Sequence, residues 1–218
     1  QISGTLRKFA LRVPAVISEC SGIIIFGKKI KSLVFTTDVC RIRNVNADAV
    51  IAVYPFTPQP IITQALMMAA DIPVFAGVGG GLTSGNRVVN LALFAEMQGA
   101  AGVVVNAPTS NDIISKLNAQ IDIPVIVTVV NESVDFKERV KSGATIFNVS
   151  AAKNTASIVR DIRREFPEFP IIATGGPTDE SILETIEAGA NAITWTPPTS
   201  GDVFKGIMEA YRENKPHP

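Results

Sequence analysis

Few side chains in this sequence could perform acid–base or covalent chemistry. The candidates for catalysis are Asp38, Glu132 and Lys153, each of which follows an apolar run closely. A positioned carboxylate can act as a general base, and an amine of lowered pKa can form a Schiff base. We therefore predict Asp38 as the proton-transfer group and Glu132 as a second acid or base. An imine-forming role for Lys153 is the alternative.

Each carboxylate also has a structural interpretation. Asp38 precedes Val39–Arg43 and could cap a short helix there. Glu132 could open a helix over Glu132–Lys141, where a negative charge complements the helix dipole. Mg²⁺ could bind through Asp38, but the spacing of the residues indicates no dedicated metal site and no other cofactor.

The remaining candidates could bind a substrate without reacting with it. Three asparagines end successive apolar runs and could orient a hydroxyl or carbonyl group, although they could equally satisfy backbone groups there. The run Gly77–Gly81 lacks the spacing of a dinucleotide fingerprint, because Leu82 takes the sixth position, but its backbone could approach a ligand closely. The predicted substrate-binding residues are Tyr54, Arg87, Asn106, Asn131, Asn148, Gly175, Gly176, Thr196, Ser200 and Gly201.

Apolar segments at regular intervals would position these candidates. Four segments begin with a charged residue and continue into β-branched residues: KIKSLVFTTD, DIPVFAGVGG, DIPVIVTVVN and EFPIIATGG. Four others follow a small-residue turn: NADAVIAVY, GAAGVVVN, SGATIFNVS and GANAITWT. Runs that are apolar on both faces are typical of parallel strands, and amphipathic stretches separate them.

Eight such alternations predict an α/β fold, the parallel eight-stranded (β/α)₈ TIM barrel. We expect one domain, with an N-terminal helix over Thr5–Glu19 in an extension of residues 1–28. The barrel would span residues 29–212 and the tail residues 213–218. In this fold the active site lies at the carboxyl ends of the strands, where the candidate residues fall.

Composition excludes several classes of function. The 218 residues contain 20 basic and 20 acidic side chains, so no net charge favours nucleic acid as a partner. Cys20 and Cys40 are too few for a disulfide framework, and no apolar run would span a membrane. We expect a cytoplasmic protein with a small anionic ligand. It could form a homodimer through the apolar helix Asn86–Gln98, unless the N-terminal segment covers that helix.

The stretch TGGPTDESILETIEAGANAI resembles the phosphate-binding (β/α)₈ barrels. This group includes the ribulose-phosphate-binding and 2-keto-3-deoxy-6-phosphogluconate aldolase-like families. The resemblance extends over roughly the last third of the chain. The resemblance implies a phosphate held by Gly175 and Gly176 and by the turn Thr199–Gly201. It also implies that the substrate is a phosphorylated or otherwise anionic metabolite.

Two main hypotheses follow for function. The first is an enzyme of isomerase or lyase type that acts on such a metabolite. The second is a non-catalytic, ligand-sensing regulatory barrel that resembles the glycerol-3-phosphate-responsive antiterminators. We favour the first, and the second is motivated by three absences: the only histidine, His217, lies in the tail, and neither a strand-end lysine nor paired carboxylates mark the mouth of the barrel. A flavin-dependent oxidoreductase is a third hypothesis, although no residue marks a flavin partner.

Overall fold

The structure is a computed structural model that describes Gly4, Leu6 and residues 10–217. Its strands are β1 (Ile23–Ile25), β2 (Lys28–Ile30), β3 (Ser32–Phe35), β4 (Ala49–Ala52), β5 (Val74–Gly79), β6 (Gly102–Val105), β7 (Val125–Val129), β8 (Ile146–Val149), β9 (Ile171–Thr174) and β10 (Ala192–Trp195). Its α-helices are α1 (Val39–Arg43), α2 (Pro60–Ala69), α3 (Asn86–Met97), α4 (Asn111–Gln120), α5 (Phe136–Lys141), α6 (Thr155–Glu165), α7 (Asp179–Glu187) and α8 (Ser200–Arg212).

Strands β3 to β10 form a closed parallel barrel, and a helix follows each strand. The order around the barrel is β10-β3-β4-β5-β6-β7-β8-β9, so neighbours in sequence are neighbours in space and the last strand pairs with the first. Strands β4, β6 and β8 are buried along their whole length, as expected of strands with side chains packed on both faces. The predicted (β/α)₈ barrel is therefore confirmed.

The side chains inside the barrel form one apolar cluster. Leu33, Phe75, Val104, Ile126 and Ile172 are at most 2% exposed and fill the centre. A second, larger cluster packs between the strands and the surrounding helices. The barrel interior is thus a packed core, and a ligand must bind at one of its ends.

A hairpin closes the amino-terminal end of the barrel. Strands β1 and β2 pair antiparallel, and Ile23, Ile25 and Ile30 join the apolar cluster inside the barrel. The Gly22 N–H donates to the Asn191 carbonyl at 2.8 Å, which ties the hairpin to the turn before β10. We predicted that the barrel and its first strand begin at Lys29. The structure divides that segment into β2, which belongs to the hairpin, and β3, which is the first strand of the barrel.

The continuous N-terminal helix predicted over Thr5–Glu19 is wrong over residues 10–14. Over residues 10–19, Leu11 forms a parallel bridge with Val45, and only Ala15–Glu19 is helical, as a 3₁₀-helix. The Leu11 N–H donates to the Asn44 carbonyl at 2.9 Å, so its hydrogen bond goes to a neighbouring segment. Pro14 cannot donate to a helix, which explains why the turn starts after it. The rest of the predicted helix includes residues 5 and 7–9, which lie outside the described residues.

The outer surface of α3 bears on the predicted homodimer. Val88 and Val89 are buried against the barrel, whereas Phe94 and Met97 are 53% and 75% exposed. The 3₁₀-helix Ala15–Glu19 contacts α7. The alternative, cover of α3 by the N-terminal segment, falls partly on residues 5 and 7–9, which lie outside the described residues. Dimerisation through α3 stays a prediction. Within the described residues, no helix has the length and apolar character needed to cross a membrane.

Candidate functional site

Polar side chains line one half of the barrel mouth, which is the carboxyl-terminal end of the strands. Each of the strands β7 to β10 has an apolar residue inside the barrel and a polar residue two positions further along the strand. Because side chains alternate between the two faces of a strand, this polar residue also points to the inner face. These four residues, which we call the polar ring, are Thr128, Asn148, Thr174 and Thr194. The mouth therefore changes from apolar to polar within one layer of side chains.

Two atoms of the polar ring lack hydrogen-bond partners. Asn148 is 8% exposed and donates through Nδ2 to Thr128 Oγ1 at 3.4 Å, but its Oδ1 has no partner. Thr194 is 7% exposed, and its Oγ1 is also unpaired. Buried polar atoms without partners are rare in native proteins, and water or a ligand usually accounts for them. The substrate-binding role of Asn148 stays a prediction.

A cavity of about 230 Å³ lies on the other half of the mouth, at the ends of β4, β5 and β6. It brings together Tyr54 and Asn106, two of the predicted substrate-binding residues, with the glycine-rich loop after β5. We call it the glycine cavity. Its lining residues are Val53, Tyr54, Pro55, Phe56, Pro58, Gly77, Gly79, Gly81, Leu82, Thr83, Val104 and Asn106.

The glycine-rich loop is shaped by contacts that exclude side chains. Gly80 has φ +102°, and a Cβ there would lie 2.1 Å from Thr109 Oγ1. The register between β5 and β6 shifts between Gly77 and Gly79, which marks a bulge. Because bulges re-aim the chain near active sites, the loop can line a cavity that a regular strand would close. The candidate list omitted Thr83 and Phe56, although the glycine run beside Thr83 was a signal for this loop.

Asp38 caps helix α1, as its structural interpretation predicted. Its Oδ1 accepts from the Cys40 N–H at 2.8 Å and the Arg41 N–H at 3.3 Å. Its Oδ2 accepts from Ser200 Oγ at 2.6 Å and lies 3.4 Å from Arg41 Nε. The Ser200 hydroxyl is the largest cause of the lowered pKa of Asp38, followed by the Arg41 and Cys40 N–H groups. A proton-transfer role stays a prediction, but these contacts make the carboxylate a weaker base.

Asp38 and Arg41 also hold the loop before α8. Arg41 donates through one guanidinium nitrogen to the carbonyls of Pro197 and Pro198, both at 3.3 Å. Together with the Asp38–Ser200 hydrogen bond, these contacts join the first and last helices that follow barrel strands. We call this group the α1–α8 latch. The described residues contain no group of three His, Cys, Asp or Glu side chains that could hold a metal ion. Mg²⁺ often binds through one or two carboxylates and water, so binding through Asp38 stays a prediction.

The loop of the two predicted phosphate-binding glycines has a packing explanation. A Cβ on Gly175 would lie 2.6 Å from Ile182 Cγ1, and Gly176 has φ +81°. Helix α7, which follows, is capped by its own side chains, because Thr178 accepts from the Ser181 N–H at 3.2 Å. Acidic residues occupy its first turn. The phosphate role of Gly175 and Gly176 stays a prediction, and both glycines are required by the fold whether or not phosphate binds.

The N-terminus of α8 is likewise capped from within. Thr199 accepts from the Asp202 N–H at 3.0 Å, and Asp202 Oδ2 accepts in return from the Thr199 N–H at 3.0 Å. The Thr199 hydroxyl and N–H lower the pKa of Asp202, which places a negative charge beside Ser200 and Gly201. Thr196, in the same loop, is exposed. An anion at this turn would meet a carboxylate that already complements the helix dipole.

Four predicted residues lie on exposed surface away from the glycine cavity. Glu132 does not open a helix, because α5 begins at Phe136 and the side chain of Asp135 caps it. The Asn131 side chain accepts from the Ser133 N–H at 3.1 Å and forms a local turn. Lys153 lies in a 3₁₀-turn and Arg87 in the first turn of α3. The exposed position of Lys153 does not fit imine chemistry, which requires a desolvated amine.

The fold and the mouth define this chain as a (β/α)₈ barrel protein, and solved structures share that architecture. One is a protein described as a phosphonomutase from Burkholderia cenocepacia J2315, with 15% identity, TM-score 0.64 and coverage of 84% of this chain and 93% of that chain. A second is phosphonopyruvate hydrolase in complex with oxalate and Mg²⁺, with 12% identity, TM-score 0.62 and coverage of 86% and 84%.

A third solved structure is the 4-hydroxy-tetrahydrodipicolinate synthase of Methylacidiphilum fumariolicum SolV, with 17% identity, TM-score 0.60 and coverage of 84% of this chain and 74% of that chain. No family model matches the sequence, and no curated protein matches it either. At such low identities the likeness shows a shared fold, so the function must be argued from this chain's own mouth.

Proposed function

We propose that this protein is a barrel enzyme of isomerase or lyase type that binds a small anionic molecule at the barrel mouth. The observation that carries the proposal is the unpaired, buried Oδ1 of Asn148 at the carboxyl end of β8. Leaving such an atom without a partner costs roughly 1–3 kcal/mol. A bound molecule with a hydroxyl group, or an ordered water that it displaces, would supply the missing hydrogen bond.

The solved structures of similar fold support the proposal as analogies. Their names describe a mutase, a hydrolase and a synthase, and one of them was determined with oxalate, a small dianion. Barrel enzymes place their chemistry at the carboxyl ends of the strands, where the polar ring and the glycine cavity lie in this chain. The Tyr54 Oη accepts from the Gln59 N–H at 3.0 Å, which leaves its hydroxyl hydrogen available to a ligand.

A binding screen with a matched pair of variants tests the proposal. Sugar phosphates and 2-oxo acids would be titrated while NMR spectra report binding and product formation. Asn148→Leu removes the amide and its unpaired Oδ1, so we expect the variant to unfold at the same or a higher temperature while it loses binding and turnover. Asn90→Leu, on the exposed face of α3, is the control and should bind as the wild type does. The proposal fails if no compound binds saturably, or if Asn148→Leu binds normally.

A second candidate function is a non-catalytic, ligand-sensing barrel. It is favoured because none of the described residues that line the glycine cavity is charged, and because Asp38 is occupied in the α1–α8 latch. A sensor would bind a compound from the same screen without converting it. If Asp38→Asn abolished the turnover of an identified substrate and left its binding intact, the sensing function would be excluded.

A further inference from the structure

We propose that the glycine cavity is the docking site for the acidic group of the ligand, and that this group is a carboxylate carried on a small apolar body. The inference deepens the proposed function and rests on it. It also moves the anion away from the loops after β9 and β10, where the resemblance to phosphate-binding barrels predicts it. Donors, charge and apolar surface around the cavity each support this assignment.

The glycine cavity is surrounded by hydrogen-bond donors that have no acceptor. Thr83 is 4% exposed, and its Oγ1 has no partner. The N–H groups of Gly81 and Leu82 donate to no other residue in the described part of the chain, and neither does the side chain of Asn106. With the free hydroxyl hydrogen of Tyr54, the cavity offers both backbone and side-chain donors. Such a set matches the oxygens of a carboxylate.

The absence of a cation at the cavity favours a monoanion over a phosphate dianion. Its lining contains no charged side chain among the described residues. Burying a charge that only neutral donors compensate is costly, and the cost grows with the charge. A carboxylate carries one negative charge, whereas a phosphate monoester carries about −1.5 to −2 near neutral pH. The cavity should therefore prefer the carboxylate.

The competing anion site is already supplied with negative charge. Asp179 and Glu180 lie in the first turn of α7, and Asp202 lies in the first turn of α8. Both helices also have complete capping boxes, so their own side chains satisfy N–H groups that phosphate would otherwise bind. An incoming dianion would be repelled by three carboxylates at this end of the barrel.

Apolar side chains surround the entrance to the glycine cavity. Phe56 is 71% exposed and Leu82 is 89% exposed, although both line the cavity. Pro55 and Pro58 add apolar surface beside them. A bound molecule with an aliphatic body would remove this surface from water, which is favourable. The volume of about 230 Å³ restricts the ligand to a small molecule.

Three probes that share an isobutyl body compare a carboxylate, a neutral amide and a phosphate at the same site. 3-Methylbutanoate carries the carboxylate, 3-methylbutanamide is its neutral counterpart, and isobutyl phosphate carries a dianion. Each would be titrated into the intact protein while the amide signals of Gly81 and Leu82 are followed by NMR. We expect 3-methylbutanoate to shift these signals at the lowest concentration. Equal binding of the amide, or tighter binding of isobutyl phosphate, would overturn the proposal.

A pair of isosteric substitutions tests the role of Thr83. Thr83→Val removes the unpaired hydroxyl, so we expect the affinity for 3-methylbutanoate to fall about tenfold while the unfolding temperature stays equal or rises. Thr185→Val, in α7, is the control, because Thr185 is also buried at 3% exposure but does not line the glycine cavity. It should leave the affinity unchanged. The same affinity in both variants would overturn the proposal.

A third variant narrows the cavity without straining the fold. A Cβ on Gly81 would lie 3.7 Å from Asn106 Nδ2, which is an ordinary contact, so Gly81→Ala should fold normally and weaken the binding of 3-methylbutanoate. If anions from the screen bind but Gly81→Ala and Thr83→Val bind them as the wild type does, the docking site is wrong and the proposed function survives. If no anion binds the wild type, both proposals fail.

Discussion

The two ends of the barrel differ in the side chains that they bury. At the amino-terminal end, the hairpin buries Ile23, Ile25 and Ile30 against the interior and leaves them at most 8% exposed. At the carboxyl-terminal end, the unpaired atoms of Asn148 and Thr194 stay buried in the mouth. The apolar side chains buried at the closed end stabilise the folded state, whereas the unpaired polar atoms at the open end destabilise it. Such a deficit is expected where residues are arranged to bind a ligand.

The largest expected effect lies at the closed end. Ile30 is 1% exposed, so Ile30→Ala would leave a cavity and lower the free energy of unfolding by about 2–5 kcal/mol. Ile24, in the same hairpin, is 73% exposed, and Ile24→Ala should change the free energy by less than about 0.5 kcal/mol. Denaturant titration of both variants measures the contrast. Similar losses in the two would show that the hairpin does not seal the barrel.

The next largest effect is expected at Gly175, where it tests whether packing alone explains the glycine that was predicted to bind phosphate. Gly175→Ala places a Cβ 2.6 Å from Ile182 Cγ1, and we expect a loss of about 1–3 kcal/mol because the neighbours must move. Gly206→Ala, in α8, meets no atom within 4 Å and should be stabilising by up to about 1 kcal/mol, since glycine weakens helices. Thermal unfolding compares the two. A neutral Gly175→Ala would contradict the packing explanation for this glycine.

A smaller effect, dependent on pH, is expected at the α1–α8 latch. The folded pKa of Asp38 lies below its ordinary value of 3.8, chiefly because Ser200 donates to it. The associated stability is therefore present above pH 3.8 and is lost as the pH falls through the folded pKa. Asp38→Asn keeps a helix cap but removes the negative charge at the N-terminus of α1, so it should cost about 0.3–1 kcal/mol near neutral pH. This difference from the wild type should shrink in acid.

Unfolding curves of the wild type and of Asp38→Asn at several pH values measure the latch. Ser200→Ala serves as the partner variant, because it removes the hydroxyl that donates at 2.6 Å. The decrease in the free energy of unfolding caused by Ser200→Ala should also become smaller in acid. A deficit of Asp38→Asn that is constant across the pH range would contradict the role given to the carboxylate charge.

The smallest effect is a gain in stability at the mouth. Thr194 is 7% exposed with an unpaired hydroxyl, and Thr194→Val replaces it with a methyl group of similar shape. We expect a change between zero and about 1 kcal/mol in favour of the folded state. Differential scanning calorimetry can resolve such a gain. A clear loss would mean that the hydroxyl already has a partner, such as an ordered water.

Local patterns were sufficient to predict the barrel. Each of its strands is a short apolar run, and every following helix except the short α1 has its own periodicity, so almost every unit could be identified without knowledge of its neighbours. The continuous helix predicted over residues 5–19 was wrong around Leu11, because Leu11 donates its N–H to the Asn44 carbonyl instead of to a helical turn. Spacing of apolar residues cannot reveal a hydrogen bond to a residue 33 positions away.

The site was only partly predictable. The positions of Tyr54, Asn106 and Asn148 at strand ends were enough to predict that they lie at the mouth of the barrel. Glu132 and Lys153 have the right chemistry, but both side chains lie on exposed surface. The type of a residue indicates what it could do, whereas burial and neighbours decide whether it is placed to do it.

The sequence by itself determined the alternation of strands and helices, and with it the end of the barrel where a ligand would bind. Only the tertiary structure decided which groups are available there. It pairs Asp38 with Ser200 across the closure of the barrel and leaves Thr83 and Asn148 with unpaired atoms. The physical reason is that secondary structure depends on neighbours along the chain, while hydrogen-bond satisfaction depends on residues that only folding brings together.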